Sequence, residues 1–349
     1  MRGVLPGRCA LHRNERGLRT VPPRGQWDAG RIAGPGRVGA GVHGLGTGVS
    51  ERWPTFLVIG AYKSGTTALH HALRSHPDVF VPERKEPDYF AFGDLVPNAD
   101  AHDPAYAGAV RRAADYHALF AGADAATAVG EVSPAYLASP AAASAIARVV
   151  PGVTLLAVLR NPVDRAYADW LMYVRDGRES ASFRDAIDAQ EERARRGDPT
   201  GRYLSTGAYA VQLERYLEVF PREQVHVWTH DEFEHDPDRV LGEMYVAIGV
   251  DPARAGPRDD VRHNRDALPA TRRDRMLLTA RMRLRPVLAH LPLGGLRRRM
   301  SSSLDARLVR PDLDAETRAL LTERMREEIV ALGRLVDLDV TPWLSGGDA

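Results

Sequence analysis

Phe56-Leu-Val-Ile-Gly-Ala-Tyr-Lys-Ser-Gly-Thr-Thr67 is an apolar run that breaks into a glycine-bearing loop, and Ala68-Leu69-His70-His71-Ala72-Leu73 follows it at helical periodicity. The order predicts a strand, a phosphate loop and a helix N-terminus. Such a turn aims backbone N–H groups and the positive end of the helix dipole at an anion, and Thr66 and Thr67 add hydroxyl donors. Among 47 basic residues only Lys63 and Lys85 are lysines. A compact ammonium on a flexible stem can follow a moving charge where a planar guanidinium fits less readily.

Gly60, Gly65 and Thr67 match the nucleotide-triphosphate loop G-x-x-x-x-G-K-[ST], but Thr66 stands where that motif carries its lysine. The loop can hold phosphate yet is poorly built for ATP and magnesium. Lys-Ser-Gly-Thr-Thr after a hydrophobic strand resembles instead the 5′-phosphosulfate loop of sulfotransferases, which use 3′-phosphoadenylyl sulfate (PAPS). The resemblance implies that Lys63, Ser64, Gly65, Thr66 and Thr67 bind this co-substrate.

Val153-Thr-Leu-Leu-Ala-Val-Leu159 reads as a buried parallel strand and runs into Arg160-Asn-Pro-Val-Asp-Arg-Ala-Tyr-Ala-Asp-Trp170, where Pro162 suits a first helical turn. This stretch is similar to the family's 3′-phosphate motif, and Arg160 is the matching arginine. Eight residues on the family usually has serine; here it is Ala168. If residue 168 faces the phosphate, Ala168→Ser is expected to restore a donor.

The second lysine lies in Val81-Pro-Glu-Arg-Lys-Glu-Pro-Asp-Tyr-Phe90, which resembles the Lys-Glu-Pro-x-x-Phe segment of the bacterial and Golgi carbohydrate-type branch. There the glutamate is taken as catalytic base, which maps to Glu86. Transfer to an alcohol needs a proton acceptor, and a carboxylate in a cationic cleft can serve. Glu83 is the local competitor, and an ion pair with Lys85 or Arg84 is the alternative for Glu86. Val129-Gly-Glu-Val-Ser-Pro-Ala-Tyr-Leu137 is similar to the family's Glu-Lys-Ser-Pro-x-Tyr segment, with Val132 in place of a common lysine. That change removes a cation from the acceptor side. Val225-His-Val-Trp-Thr-His230 predicts another strand after the amphipathic stretch 209–220, and Asp231-Glu232 is placed in a loop. Val261-Arg-His-Asn-Arg265 resembles a late loop closing on the cofactor, which adds Arg262 and Asn264 to the binding set.

At 38.3 kDa and 44% hydrophobic residues the chain can bury one substantial core. The predicted fold is α/β: a P-loop-type central parallel sheet flanked by helices, a single domain over 51–345 with a helical C-terminal part. Residues 314–335 form an amphipathic helix and 270–299 carry arginines among apolar positions. Residues 1–50 hold eight arginines against Glu15 and Asp28, with 12 of the 31 glycines. That composition predicts a disordered or mis-assigned tail. Formal charge is +1, so no global field draws the protein to nucleic acid. Cys9 is the lone cysteine, which rules out an internal disulfide and a thiolate metal cage, and no Asp/His/Glu group shows metal-site spacing. No apolar run approaches the ~18 residues needed to span a bilayer.

Together these readings predict a metal-independent sulfotransferase. It would move a sulfuryl group from PAPS to a hydroxyl, or as second choice an amine, of a carbohydrate, glycolipid or small-molecule acceptor. Glu86 would be the base, and Lys63 would stabilise the leaving group. A cytoplasmic location is expected, no nucleic-acid or integral-membrane partner, and no oligomeric state follows from the sequence. A P-loop nucleotide kinase or NTPase, or an inactive nucleotide-binding homologue, are the alternatives.

Overall fold

A computed structural model describes residues 52–96, 108–196, 198–256, 268–269, 308–309 and 311–345. The expectations for the 1–50 tail, for the segment 270–299 and for Arg262 and Asn264 lie outside the described residues.

The strand predicted from residue 56 is β1 (Phe56–Gly60), fully buried along its length. Together with β2 (Val79–Phe80), β3 (Ala128–Val132), β4 (Thr154–Leu159) and β5 (Val225–Thr229) it forms a five-stranded sheet in the order β2-β3-β1-β4-β5. Every pairing in it is parallel. Strands buried on both faces read as near-continuous apolar runs, which is why Leu155 to Leu159 shows no polar alternation.

Successive side chains divide between two cores. Leu57, Ile59, Leu155, Ala157 and Leu159 point to one face, and Phe56, Val58, Val132, Leu156 and Val158 to the other. The second face is covered by α1 (Thr66–Arg74) through Leu69 and Leu73. The first takes α2 (Tyr89–Phe92), α3 (Ala113–Ala118), α4 (Ala135–Ala138), α5 (Ala142–Val149) and α6 (Pro162–Arg175). It also packs α7 (Phe183–Asp188) and α9 (Tyr209–Leu217), and α8 (Gln190–Arg195) follows α7. α10 (His230–His235) and α11 (Pro237–Ala247) return to the Phe56 face through Phe233, Val240, Leu241 and Met244. The predicted C-terminal helix is α12 (Ala315–Val336), whose Leu321, Ile329, Leu332 and Val336 join the first core, and α13 (Thr341–Leu344) adds Trp343. Each such fully buried aliphatic side chain contributes about 1.5–3 kcal/mol relative to exposure. β6 (Leu268–Pro269) and β7 (Leu308–Val309) form a separate antiparallel pair.

α6 starts where the sequence says it should. Asn161 caps it, accepting from the Val163 N–H at 2.9 Å, with Pro162 at the first helical position and Asp164 in the first turn. Among the described residues no helix is long and apolar enough to cross a membrane.

Candidate active site

Because β1 sits between β3 and β4, the carboxyl ends of these three strands lie side by side, where the strand order reverses direction; open α/β sheets bind ligands there. Backbone bonds knit the ends together. Ala61 N–H donates to the Val158 carbonyl at 2.8 Å, Ser133 N–H to Val58 at 3.0 Å, and Glu86 N–H to Val132 at 3.1 Å. The lysine loop and Arg160 therefore emerge from neighbouring strands, and Glu86 is bonded to the end of β3 beside them.

In the loop, Lys63 has φ of 64° and Gly65 φ of 80°, while Ser64 between them does not take a positive φ. Alternation of this kind turns successive N–H groups inward to form an anion-binding concavity. A lysine held in the left-handed region costs conformational energy, and such residues cluster at functional sites. Gly65 also caps α1, so the dipole of that helix opens on the same concavity. Lys63 and Thr67 are half-buried and Thr66 is buried. Ser64 is completely buried, its hydroxyl turned to the Tyr62 carbonyl at 3.5 Å, so only its main chain can face a ligand.

Arg160 leaves the end of β4 and donates from its guanidinium to the Lys63 carbonyl at 3.0 Å. The two stretches that the sequence marks as anion motifs are thus in direct contact. Behind them the Tyr209 hydroxyl is buried against Ser64 and the main chain of Arg160, without a hydrogen bond of normal geometry to either. Burial pushes that phenol up to about 12, with the Arg165 and Arg160 guanidiniums opposing. The loop amides, Lys63 and Arg160 form the donor set an anionic nucleotide requires, and in that respect these residues fit PAPS.

Glu86 is half-buried, and it too is left-handed, with φ of 55°; Asp88 follows with φ of 53°. The Lys85 ammonium donates to Glu86 Oε1, so the pairing offered as an alternative to the base is present. Glu83, the competitor, is exposed.

Residues 54–253 match the model of the sulfotransferase family. The chain belongs to the sulfotransferase family. It is 31% identical over 216 residues to the human bifunctional heparan sulfate N-deacetylase/N-sulfotransferase 3, covering 58% of this chain and 23% of that protein. To the mouse heparan sulfate glucosamine 3-O-sulfotransferase 6 it is 27% identical over 249 residues, covering 71% of this chain and 66% of the other. The crystal structure of a sulfotransferase from Alicyclobacillus acidocaldarius superposes with a TM-score of 0.65 at 28% identity, over 84% of this chain and 99% of that one.

Several positions that the sequence singles out stand differently from expectation in the structure. Ala168 has no exposed surface, and on the same helix the fully buried Arg165 is bound to Asp169 at 3.2 Å and to the Tyr203 carbonyl. A side chain at 168 is thus enclosed by protein. Val132 is likewise buried, packed in the Phe56 core, so this position offers no surface to an acceptor. Asp231-Glu232 forms the first turn of α10 instead of a loop. Thr229 Oγ1 accepts from the Glu232 N–H at 3.0 Å and the Glu232 carboxylate accepts from the Thr229 N–H at 2.9 Å, a reciprocal cap.

That helix start brings in a residue the sequence did not single out. A Cβ placed on Gly65 would sit 3.4 Å from the His230 ring, so His230 packs directly on the phosphate loop. Its Nδ1 lies 3.3 Å from Glu234, and ligand atoms of His230, Asp231 and Glu234 fall within 4.8 Å of one another. This is a grouping that the linear spacing did not show. Asp231 already accepts from Trp343 Nε1 at 3.2 Å, and both carboxylates are exposed. The T-x-x-E capping signature at 229–232 was the available signal for where His230 sits. His70 is buried with Nε2 2.9 Å from the Pro82 carbonyl, and burial lowers it to about 4. It ties α1 to the segment leading into Glu86 and has a structural explanation.

Glu131, in the segment 129–137, is a residue to which the sequence assigns no role. It is fully buried on β3, takes the Tyr136 hydroxyl on Oε1 at 2.5 Å and the Tyr116 hydroxyl at 3.4 Å, and leaves Oε2 without a partner. Burial pushes it up to about 7, and Glu86 adds to the shift while the hydroxyls of Tyr136, Ser133 and Tyr116 oppose it. Asp88, also buried and with Oδ1 unpaired, is raised by burial and by Glu86 and Glu131.

Proposed function

We propose that the protein transfers a sulfuryl group from PAPS to a hydroxyl or amine of a carbohydrate-type acceptor, without a metal. The observation that carries this reading is the Arg160 to Lys63 hydrogen bond, which joins an anion-binding loop and a second cationic site at the switch point of the sheet. Family membership of residues 54–253 gives those two anion sites a donor of matching chemistry, a nucleotide with phosphate at both 5′ and 3′ positions. The carbohydrate class is drawn from the heparan sulfate enzymes named above, of which the chain spans only part.

Lys63, the amides of Ser64 and Gly65, Thr66 and Thr67 would hold the 5′ end, and Arg160 the 3′-phosphate. Arg262 and Asn264 complete the proposed set. Glu86 would take the proton of the acceptor hydroxyl or amine, and Lys85, paired with it, would orient the carboxylate. Lys63 would neutralise charge on the bridging oxygen as the sulfuryl group leaves. Fixed charges and dipoles supply most of the stabilisation, so the chain needs no covalent step of its own. The domain limits 51–345 and a cytoplasmic location belong to this proposal.

Thermal-shift titration tests it. Stabilisation by 3′,5′-adenosine bisphosphate in the presence of EDTA is expected. A response to Mg-ATP alone would restore the kinase reading. Bisphosphate binding with no transfer to any acceptor would make the protein an inactive homologue.

A further inference from the structure

The loop that carries Glu86 is held from one side by one short segment. The N–H groups of residues 86, 88 and 90 donate in turn to the Val132 carbonyl at 3.1 Å, to Ser133 Oγ at 3.0 Å and to Tyr136 Oη at 3.3 Å. Rings extend the grip. Tyr89 stacks on Tyr116 with centroids 4.4 Å apart, and Phe90 meets both Tyr116 and Tyr136 edge-on. At the centre of these contacts stands the Glu131 carboxyl, which receives the hydroxyls of both Tyr136 and Tyr116 on one oxygen.

A carboxyl among tyrosines and phenylalanines, with its second oxygen unpaired, is a costly residue to keep if packing is its only task. An apolar side chain of the same size would fill the space at lower cost. What an apolar residue cannot do is orient two phenol hydroxyls. Tyr136 must donate to Glu131 to leave its lone pairs for the Phe90 N–H, so the acceptor on β3 fixes the direction of the bond that pins the loop. The ionisable groups within reach of Glu131 are Glu86 and Asp88 on the loop, Tyr116 on α3, Tyr136 on α4 and Tyr216 on α9. Among these no cation competes for the carboxyl.

We propose that Glu131 is a positioning residue for the base: acting through the hydroxyls of Tyr136 and Tyr116, it holds residues 86–90 in place, with Glu86 and Asp88 in the left-handed conformation that presents Glu86 to the acceptor. The inference rests on Glu86 being the base, and its test separates the two.

Glu131→Leu removes the acceptor of the two hydroxyls, and Tyr136→Phe removes the link itself. The full-length protein and both variants are compared by hydrogen–deuterium exchange, by calorimetry with 3′,5′-adenosine bisphosphate, and by turnover of PAPS on an N-desulfated heparan oligosaccharide. Both variants are expected to exchange several-fold faster at 86–92 with unchanged exchange at 61–67. Bisphosphate affinity should stay within twofold while kcat falls at least tenfold. Unchanged exchange at 86–92 in both variants overturns the proposal, as does a loss of bisphosphate affinity that matches the loss of activity, because that would be general damage. A fully active Glu86→Gln protein, with exchange at 86–92 still raised in the Glu131→Leu protein, would refute the base and leave the anchoring intact.

Discussion

The Arg160 guanidinium donates to the main-chain carbonyl of Lys63 at 3.0 Å, so one side chain both closes the phosphate loop and presents charge beside it. Truncation removes both at once. Arg160→Ala should weaken 3′,5′-adenosine bisphosphate by one to two orders of magnitude, corresponding to ~1.5–3 kcal/mol for a charge-assisted bond. The 5′-monophosphate should lose less, and calorimetry with the two ligands gives the ratio. Equal losses would mean that Arg160 only shapes the loop.

Glu86→Gln preserves size and removes the proton acceptor. Turnover on an N-desulfated heparan oligosaccharide should fall by about 10²–10⁴-fold. Bisphosphate affinity, measured in parallel, should not change. A rate within a few-fold of the parent would exclude Glu86 as the base.

Because Ala168 is enclosed, the hydroxyl introduced by Ala168→Ser is expected to turn back onto the carbonyl one helical turn earlier, as serines in helices do. Affinities for bisphosphate and monophosphate should then move together or not at all. A selective gain for the bisphosphate would show that residue 168 opens on the phosphate, the condition under which the motif resemblance predicts a restored donor.

Two buried groups push pH stability in opposite directions. Glu131 is raised in the fold to about 7, so the native state holds a proton that the unfolded chain releases, and stability falls as pH rises from about 4.5 to 7. His70 is lowered to about 4, so the unfolded chain binds the extra proton, and stability is lost as pH falls from about 6.5 to 4. Each is worth of the order of 3 kcal/mol. Denaturant melts of the Glu131→Gln protein should therefore show stability climbing from pH 4 to 6.5, steeper than in the parent. A slope equal to the parent's would mean that Glu131 ionises normally.

What could be read from the chain was local. The strand, loop and helix after Phe56, and the Asn161-Pro162 start of α6, are set by residues adjacent in sequence, whose periodicity and capping chemistry show in a single pass. The left-handed conformation at Lys63 and Glu86 was not legible, because lysine and glutamate do not announce positive φ as glycine does. His230 meets Gly65 only because β5 ends near the loop, and Glu131 meets Tyr116 and Tyr136 only after β3 has paired with β1. Ala168 shows a different limit. Its place in the motif is set by sequence alone, whereas its burial depends on how α6 is held, with Arg165 of the same helix bound to the Tyr203 carbonyl.

The most direct test of sulfuryl transfer is mass spectrometry of an N-desulfated heparan oligosaccharide incubated with PAPS and either the parent protein or Lys63→Ala. The parent should add one sulfate per acceptor site, and the variant should do so at least a hundredfold more slowly, the ~2.7–4 kcal/mol of one lost charge-stabilising donor. Equal rates from the two proteins, or no sulfate gained with the parent, would contradict the account.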